Sequence, residues 1–260
     1  MSAAHEPQIR PVAVPKSFSL AGKTAVVTGA SRGIGFGIAE AFAKWGAKVV
    51  AFARSPSPGK PYAVTGIEYR SADITNDMNA EFAELSERYG VLDILVNAAG
   101  VTLPSGTDEA QSKTAFEKTV AVNLVAAYGV CRAARPFMKS GGSIINVTSI
   151  GSLLGFPRNP GYVASKGGLR MMTKALALDY GAEGIRVNAL VPGYIHTAMT
   201  HSSFTDLELH EQRRRHTCLG RWGTVDDLVG PAIFLASDAS AYITGQDLIV
   251  DGGWTAKGLV

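Results

Sequence analysis

Short runs of apolar residues alternate with longer segments of helical periodicity along most of the chain. The short runs are bounded by glycine, proline, serine or asparagine, which is typical of buried strands. We predict strands at residues 23–28, 48–52, 67–71, 94–100, 143–148, 185–191 and 248–250. Apolar residues at three- and four-residue steps predict helices over residues 35–45, 76–89, 112–139 and 224–234, with another beginning at Tyr162. This alternation of strands and helices indicates an α/β fold.

Two segments do not follow this alternation. Residues 1–20 are interrupted by prolines and have no periodicity, so we expect an N-terminal arm. Residues 194–220 lack a strand pattern but carry scattered apolar residues, which favours a helical flap over a functional site. No repeat, low-complexity tract or linker divides the rest, and we expect a single domain over residues 21–260.

A glycine-rich turn follows the first predicted strand and leads into a helix. Small residues at the start of a helix let the backbone approach a dinucleotide diphosphate, whose charge interacts favourably with the helix N-terminus. The spacing is G-x-x-x-G-x-G rather than G-x-G-x-x-G, but the flanking strand and helix are those that a dinucleotide site requires. The predicted cofactor-binding residues of this turn are Gly29, Ser31, Arg32, Gly33, Ile34 and Gly35.

The end of the second strand bears on which dinucleotide is bound. An NAD site places a carboxylate there for the ribose hydroxyls, but no Asp or Glu occurs between Glu40 and Glu68. Arg54 follows the strand instead, and Arg32 lies in the glycine turn. Two guanidinium groups can hold the 2′-phosphate of NADP in bidentate fashion, so we expect NADP rather than NAD. In the alternative, Arg54 is a solvated loop residue.

Further cofactor contacts are predicted after the third and fourth strands. Asp73, followed by Ile74, either accepts a hydrogen bond from the adenine amino group or caps the next helix. The fourth strand closes in small residues that let a flat cofactor lie against the backbone, namely Ala98, Ala99 and Gly100. Asn97 belongs to the same stretch, and we expect its amide to link adjacent strands.

Candidate acid–base residues follow the fifth predicted strand. Tyr162 and Lys166 are one turn apart on one face of a predicted helix. A tyrosine with a pKa of ~10 is a poor acid–base group at neutral pH. One positive charge ~4 Å away contributes about 4 kcal/mol at an effective dielectric constant of about 20, which lowers the pKa by roughly three units. We therefore expect Lys166 to activate Tyr162, although an isolated Y-x-x-x-K pair is most often an ordinary surface pair.

Two other polar residues qualify this picture. Ser149 directly follows the fifth strand, thirteen residues before Tyr162. Asn123 lies within an apolar helical stretch, and a buried amide must find partners. Asn123 either binds a neighbouring backbone or holds a water molecule in an active site.

Composition narrows the possible functions. The 260 residues are 46% apolar and 18% charged, which is typical of a globular protein, and the net charge of +3 gives no electrostatic case for nucleic-acid binding. Cys131 and Cys218 match no metal-binding spacing, so we expect no metal and buried thiols in a reducing compartment. No apolar run is long enough to span a bilayer and no secretion signal is recognisable, so we expect a cytoplasmic protein without membrane contact.

The motifs and their order resemble those of the short-chain dehydrogenase/reductase family over residues 20–254. The matching motifs are T-G-A-S-R-G-I-G (28–35), N-A-A-G (97–100), Asn123, Ser149, Y-x-x-x-K (162–166) and P-G (192–193). The resemblance implies a single Rossmann-type, doubly wound parallel sheet of about seven strands, in the order 3-2-1-4-5-6-7 and flanked by helices. It also implies hydride transfer between NADP(H) and a ketone or secondary alcohol.

The resemblance further implies a catalytic tetrad of Asn123, Ser149, Tyr162 and Lys166. In this assignment Tyr162 transfers the proton, and Ser149 orients the carbonyl oxygen and stabilises its charge. Lys166 lowers the pKa of Tyr162 and binds the nicotinamide ribose, so both residues also belong to the cofactor site. Asn123 anchors a water that connects Lys166 with solvent. The positions that match the family's nicotinamide contacts are Pro192, Gly193, Ile195 and Thr197.

The resemblance also suggests a homotetramer, with a dimer as the alternative. The helices that begin near Ser112 and Tyr162 would pair between subunits. The Tyr162 helix supports this, because it has apolar residues on more than one face: Leu169, Met171, Met172, Leu176 and Leu178. The chain's own loops are the alternative cover for those faces.

The substrate is the least constrained property. Residues 220–254 are similar both to the branch that acts on sugar acids, ketoses and polyols and to the 3-oxoacyl-carrier-protein reductases. Polar flap residues suit a hydroxylated substrate, because each buried hydroxyl needs a partner; these residues are Tyr194, His196, Thr197 and Thr200, beside Met199 and Phe204. We therefore expect a small-molecule substrate that is a sugar, polyol or keto sugar acid.

Two alternatives remain from the sequence. In the first, the substrate is a 3-oxoacyl thioester, and the run Arg213–Arg215 docks an acidic carrier protein, although we expect these arginines to form a solvated face. In the second, the protein is a non-catalytic cofactor sensor. The complete tetrad argues against a sensor, which would be expected to lose Tyr162 or Lys166.

Overall fold

The computed structural model of the protein describes residues 16–258. This range contains seven strands: β1 Thr24–Thr28, β2 Lys48–Ala53, β3 Ile67–Ser71, β4 Leu92–Asn97, β5 Met138–Val147, β6 Arg186–Pro192 and β7 Asp247–Val250. It also contains eight α-helices: α1 Gly33–Lys44, α2 Asn79–Tyr89, α3 Glu109–Val120, α4 Ala127–Ala134, α5 Pro160–Gly181, α6 His201–Thr205, α7 Leu207–His216 and α8 Asp226–Ala236.

The strands form one parallel sheet in the order β3-β2-β1-β4-β5-β6-β7, which confirms the predicted fold class and strand order. Successive side chains of a strand point to opposite faces, so neighbouring residues enter different cores. Val27 packs with Phe42 of α1 and Leu228 of α8, whereas Val26 packs with Phe82 of α2 and Leu176 of α5. Because both faces are covered, the central strands are apolar at nearly every position.

The order of the sheet reverses between β1 and β4. Connections from these two strands leave toward opposite faces of the sheet and open a crevice at their carboxyl ends. Thr28 joins the two strands here, because its hydroxyl donates to the Val96 carbonyl (3.4 Å) and accepts from the amides of Ala98 (3.2 Å) and Ala99 (3.3 Å). The fold therefore places the two predicted small-residue turns side by side.

The long helix predicted over residues 112–139 is wrong in extent and regularity. It comprises α3, a π-helical segment Ala121–Ala126, α4 and a 3₁₀ turn Arg135–Phe137. The chain then enters β5 at Met138, which pairs with Leu92, so the strand begins earlier than the predicted residue 143. Pro136 and the polar run of residues 139–142 interrupt the apolar pattern at this junction, and pairing with β4 sets where the strand begins.

Two helix starts also differ from the predictions. Helix α2 begins at Asn79 rather than residue 76, after a turn in which the Asp77 carboxylate accepts from the Asn79 amide (3.0 Å). Helix α8 begins at Asp226 and has no side-chain cap, and the Asp227 carboxylate in its first turn accepts from the Thr224 amide (2.7 Å) and hydroxyl (3.1 Å). Thr224, where this helix was predicted to begin, thus lies before the helix and donates both hydrogen bonds.

The chain termini are covered only in part. Residues 1–15 of the predicted N-terminal arm, and residues 259–260, lie outside the described range. The end of the arm packs onto the domain, since Leu20 is fully buried and the Phe18 ring lies 6.3 Å from that of Phe234. The predicted flap, residues 194–220, contains α6 and α7. Among residues 16–258 there is no helix with the length and hydrophobicity needed to cross a membrane.

Candidate active site

A cleft of about 520 Å³ opens at the carboxyl ends of the strands where the sheet order reverses. This is the volume and location typical of a small-molecule or cofactor site in an open α/β sheet. Most of the predicted cofactor residues line it: Gly29, Ser31, Arg32, Gly33, Ile34, Gly35, Arg54, Asp73, Ile74, Ala98, Ala99, Gly100 and Thr197. The structure thus brings together residues from five separate stretches of the chain.

The glycine turn fits a dinucleotide diphosphate. Gly29 has φ +67°, and a Cβ there would lie 2.5 Å from the Ala99 Cα, so the turn packs directly on the end of β4. A Cβ on Gly35 would lie 2.6 Å from the Gly29 carbonyl oxygen. Helix α1 has no side-chain cap and no acidic residue in its first turn. Its first amides are therefore left to bind an anion in the cleft.

Arg32 and Arg54 supply the positive charge of the cleft. Both side chains are exposed and line the same cleft, and neither forms an ion pair with any residue between 16 and 258. Asp73 lies close to Arg54, and its carboxylate accepts from the Thr75 amide (3.0 Å) and hydroxyl (2.8 Å). These hydrogen bonds, together with the charge of Arg54, lower the pKa of Asp73. The helix-cap alternative for Asp73 is wrong, because α2 begins at Asn79.

Ser149 is positioned by the end of β5. It is 7% exposed, and its hydroxyl oxygen accepts from the Gly151 amide at 3.0 Å, which caps the 3₁₀ turn Ile150–Ser152. A hydroxyl that accepts from a backbone amide keeps its own hydrogen for another partner. Ser149 can therefore donate to an oxygen of a bound substrate.

Lys166 is held beneath the same end of the sheet. Its ammonium group donates to the Val147 carbonyl at 2.7 Å, and the residue is 5% exposed. Burial lowers the pKa of Lys166 from its ordinary 10.5 to about 8. A Cβ on Gly100 would lie 3.6 Å from the Lys166 ammonium and 3.3 Å from the Asn123 amide oxygen. Lys166 and Asn123 therefore meet at the floor of the cleft.

The prediction that the pKa of Tyr162 is lowered by Lys166 is wrong for this structure. Burial raises the pKa of Tyr162, the nearby Tyr194 adds to the increase, and the Ser149 hydroxyl acts in the opposite direction. The Lys166 ammonium lies 5.9 Å from the centre of the Tyr162 ring and is directed at Val147. Desolvation of the phenol therefore outweighs the attraction of a more distant charge, and Tyr162 is protonated at neutral pH.

Asn123 binds neighbouring backbone, the first of the two alternatives. Its amide oxygen accepts from the Val101 amide (2.8 Å), and its amide nitrogen donates to the Val101 carbonyl (2.9 Å) and to the Ser165 hydroxyl (3.1 Å). Ser165 in turn donates to the Tyr162 carbonyl at 2.8 Å. The Asn123 side chain thus joins the loop after β4 to helix α5.

Six predicted cofactor residues do not line the cleft: Tyr162 and Lys166, which lie beside it, and Asn97, Pro192, Gly193 and Ile195. Asn97 is buried and donates to Asn146 (2.9 Å) and Cys131 (3.1 Å), so it links β4 to β5 as expected for a structural amide. Pro192 is buried at the end of β6. A Cβ on Gly193 would lie 2.6 Å from the Asp251 Cα. Ile195 is 4% exposed and belongs to the core.

An aromatic wall stands beside Tyr162 and consists of Phe156, Tyr194, Trp222 and Trp254. The Tyr194 ring lies 6.2 Å from Phe156, 5.5 Å from Trp222 and 4.7 Å from Trp254. A Cβ on Gly151 would lie 3.0 Å from Phe156 and 3.3 Å from Tyr162, which places the wall against the tyrosine. The arrangement can hold an organic substrate between the wall and Ser149.

The flap residues predicted to contact a substrate differ in whether their side chains are already engaged in internal contacts. The Thr200 hydroxyl donates to the Ile195 carbonyl (2.6 Å) and accepts from the Thr197 amide (3.0 Å), so it stabilises the turn. The His196 ring stacks on Phe204 with ring centres 3.7 Å apart. Tyr194 is the flap residue that joins the wall beside Tyr162.

The sequence matches a protein-family model over residues 29–255, and the model is described as enoyl-(acyl carrier protein) reductase. This model represents short-chain dehydrogenases/reductases, and it covers most of the chain. The chain belongs to the short-chain dehydrogenase/reductase family. The predicted resemblance is confirmed, and with it membership of a family of oxidoreductases that act on CH–OH groups.

Curated and solved relatives of this short-chain dehydrogenase fall in both predicted branches. The chain is 38% identical to gluconate 5-dehydrogenase of Gluconobacter oxydans, over 94% of this chain and 98% of the relative. It is 40% identical to the 3-oxoacyl-[acyl-carrier-protein] reductase of Chlamydia muridarum, over 90% and 98% respectively. A gluconate 5-dehydrogenase from Burkholderia cenocepacia, solved with NADP and tartrate, superposes with a TM-score of 0.84 at 34% identity and covers 93% of this chain and 98% of that one.

The sequence analysis missed part of the site of this short-chain dehydrogenase. The additional cleft residues are Ala53, Ser55, Ala72, Val101, Thr102, Leu103, Val122 and Ala198. Most of them directly adjoin a predicted residue at a strand end, so extending each stretch by one or two positions would have found them. The aromatic wall has no such signal, because its members come from distant parts of the sequence and only packing brings them together.

Proposed function

We propose that the protein is an NADP(H)-dependent oxidoreductase that interconverts a ketone and a secondary alcohol in a sugar, polyol or keto sugar acid. The observation that carries the proposal is the convergence of Ser149, Tyr162 and Lys166 beside a dinucleotide-sized cleft that contains two unpaired arginines. The similarity to gluconate 5-dehydrogenases supports the substrate class.

The proposed roles follow from the state of each side chain. When bound, NADPH supplies the hydride that reduces the carbonyl carbon. Ser149 donates a hydrogen bond to the carbonyl oxygen as negative charge develops there. Tyr162, protonated because burial raises its pKa, supplies the proton to that oxygen. The reverse direction requires Tyr162 to lose its proton, so oxidation is favoured at higher pH than reduction.

Lys166 and Asn123 act on the surroundings of Tyr162. Lys166 places a buried positive charge 5.9 Å from the centre of the Tyr162 ring, and its attraction offsets only part of the desolvation cost of the phenolate left after proton transfer. Its position at the floor of the cleft also suits contact with the ribose hydroxyls of the cofactor. Asn123 fixes the spacing between the loop after β4 and helix α5 through Val101 and Ser165.

The preference for NADP rests on Arg32 and Arg54. Both guanidinium groups line the cleft, and neither forms an ion pair with a carboxylate within residues 16–258. A 2′-phosphate can therefore bind there without displacing an internal ion pair, whereas the ribose hydroxyls of NAD find no free carboxylate at the end of β2. The NADP complex of the Burkholderia relative supports this assignment.

The second candidate is a 3-oxoacyl thioester reductase, which the similarity to the Chlamydia muridarum enzyme favours. Such an enzyme must dock an acidic carrier protein. In the flap, however, Arg214 and Arg215 are both paired with Glu211, each at 2.6 Å. The run therefore presents less free positive charge than the sequence suggests, and we prefer the sugar substrates.

The test is a set of initial rates with the purified protein. The substrates are a ketose, 5-ketogluconate and a 3-oxoacyl thioester with NADPH, and gluconate and a polyol with NADP. We expect saturable turnover with a sugar or sugar acid. We also expect Tyr162→Phe to lower kcat by about 10²- to 10⁴-fold while NADPH affinity, measured by fluorescence, changes little.

Each other outcome has a distinct meaning. Preference for the thioester would support the second candidate. Equal turnover by wild-type protein and Tyr162→Phe would contradict the proposed acid. NADPH binding without turnover of any member of the set, in both proteins, would favour the cofactor sensor.

A further inference from the structure

The three arginines of the flap run, residues 213–215, have different surroundings in the structure. Arg214 and Arg215 pair with Glu211. Arg213 instead lies against the aromatic wall, with its guanidinium carbon 4.4 Å above the Tyr194 ring centre and 5.5 Å from that of Trp222. The prediction of a solvated face is therefore wrong for Arg213.

The Arg213 guanidinium lacks a hydrogen-bond or ion-pair partner among the described residues. Its Nη1 atom is buried and has no hydrogen-bond partner, and no carboxylate in the described part of the chain lies within ion-pair distance. Leaving a charged donor buried and unpaired is costly, and natural proteins rarely do so without a reason. Stacking on Tyr194 and Trp222 holds the cation but satisfies none of its N–H groups.

The position of Arg213 points to a ligand as that partner. The wall that Arg213 stacks on is continuous with the reacting end of the site, because Tyr194 packs on Phe156, and Phe156 adjoins Tyr162 across Gly151. A molecule that contacts Tyr162 and extends along this wall past Tyr194 would reach Arg213. Because Tyr194 contacts both Arg213 and Phe156, such a molecule would react at an atom remote from the group that Arg213 binds.

We propose that Arg213 binds the carboxylate of the substrate, and that the protein therefore prefers an acid to the matching neutral polyol or ketose. This inference rests on the proposed sugar-class function and makes its substrate class specific. The planar fork of a guanidinium matches a carboxylate in bidentate geometry. The aromatic faces restrain its orientation, and partial burial strengthens the interaction. The chemistry fits an aldonic acid that reacts at a carbon remote from its carboxylate.

The experiment compares gluconate with glucitol, which replaces the carboxylate by a neutral CH₂OH group. Binding to the NADP-loaded protein is followed by tryptophan fluorescence, and turnover is measured in parallel. We expect wild-type protein to bind gluconate more tightly than glucitol. We expect Arg213→Gln to weaken gluconate binding about 10- to 100-fold and to leave glucitol binding unchanged. Arg213→Lys keeps the charge without the fork and should fall between the two.

Arg215→Gln is the matched control, because it removes a paired arginine two positions away on the same helix. It should leave the affinity for both probes unchanged. Unfolding temperatures of all three variants report whether the flap remains folded.

The outcomes separate this inference from the proposed function. An equal loss of gluconate and glucitol binding in Arg213→Gln would mean that Arg213 only supports the wall, and would overturn the inference. So would wild-type protein that does not prefer gluconate. Gluconate binding that depends on Arg213, without oxidation by NADP, would support the inference while the proposed function fails. Gluconate turnover that Arg213→Gln leaves unchanged would support the proposed function and overturn the inference about Arg213.

Discussion

At the residue scale, burial sets the protonation of the two central side chains in opposite directions. It raises the pKa of Tyr162 and lowers that of Lys166 to about 8. Both shifts favour the neutral form, as expected when a charged form loses its hydration. The protein thus keeps Tyr162 as an acid at neutral pH, which suits carbonyl reduction, and holds Lys166 as a cation at an energetic cost.

That cost predicts the effect of Lys166→Met on stability. A pKa lowered from 10.5 to about 8 corresponds to roughly 3 kcal/mol of destabilisation at neutral pH. Methionine avoids this but leaves the Val147 carbonyl without its donor. We expect Lys166→Met to lose activity and to raise the free energy of unfolding at pH 7 by about 1–2 kcal/mol, measured by urea denaturation.

The sign of the effect can be checked by changing the pH. Below pH 8 the folded protein carries the buried charge, and above pH 10.5 both folded and unfolded chains have a neutral lysine. The stability advantage of Lys166→Met over wild-type protein should therefore shrink as pH rises through this window. An advantage that is independent of pH would contradict desolvation as its cause.

Replacement of Arg54 is predicted to weaken the preference for NADPH over NADH. It lines the cleft without an ion-pair partner in the described range, so its replacement removes a charge-assisted contact to a 2′-phosphate. We expect Arg54→Gln to lower kcat/KM for NADPH about 10- to 100-fold and to leave that for NADH nearly unchanged. Arg132→Gln, an exposed residue of α4 that does not line the cleft, is the control. Equal losses with both cofactors would contradict the phosphate contact.

At the element scale, a change of helical geometry places Asn123. The π-helical segment Ala121–Ala126 lies between α3 and α4, and such segments are frequent at functional sites. It directs a buried amide at the loop after β4, where Val101 takes both of its hydrogen-bonding groups. The segment therefore connects the helical layer to the floor of the cleft.

Helix α5 approaches the preceding helical elements closely because it carries glycine where they touch. A Cβ on Gly161 would lie 2.9 Å from the Phe116 Cα of α3, and one on Gly168 would lie 2.7 Å from the Leu124 side chain. Gly167 has no atom within 4 Å of such a Cβ. The close packing keeps Tyr162 and Asn123 in their mutual positions.

Two alanine substitutions in α5 test this packing. Gly161→Ala pushes against backbone that cannot yield, so we expect a loss of about 1–3 kcal/mol in the free energy of unfolding and reduced activity. Gly167→Ala meets no neighbour and should instead gain up to about 1 kcal/mol from helix propensity. Chemical denaturation measures both. A similar change in stability for the two variants would show that helix propensity, and not packing, decides the outcome.

At the scale of the whole molecule, one face of the helical layer is left uncovered by residues 16–258. Leu169 and Leu176 of α5 are buried, but Met171 is 59% exposed and Leu178 is 84% exposed. Val125, in the segment before α4, is 60% exposed on the same layer. No loop among residues 16–258 covers this face. The alternative prediction, that the chain's own loops cover it, is therefore wrong for this range. We propose that it pairs with a second copy in a homotetramer.

Leu178→Glu tests the assembly. A charge in the centre of an apolar interface is expected to weaken it strongly, so sedimentation should show smaller species than the wild-type tetramer. Leu207→Glu is the control, since Leu207 is 86% exposed on the flap rather than on α5. Wild-type protein that sediments as a monomer would contradict the proposed assembly.

Much of the fold could be predicted because its signals are local. The apolar runs before Gly29 and after Gly66 predicted β1 and β3 closely, and the motifs predicted the strand order through the family they resemble. The helix predicted over residues 112–139 was less accurate, because its interruption at Asn123 and its end at Met138 depend on contacts with β4. Periodicity does not report contacts between distant segments.

The sequence by itself determined the α/β architecture, the glycine turn of the cofactor cleft and the residue types of the tetrad, because each depends on neighbours within a few positions. Only the tertiary structure decided how those residues behave. It raised the pKa of Tyr162, lowered that of Lys166, and joined Asn123 to Val101. It also separated Arg213 from its two neighbours in the run and laid it on the aromatic wall. These outcomes depend on burial and on long-range packing, which arise only when the sheet and its helices come together.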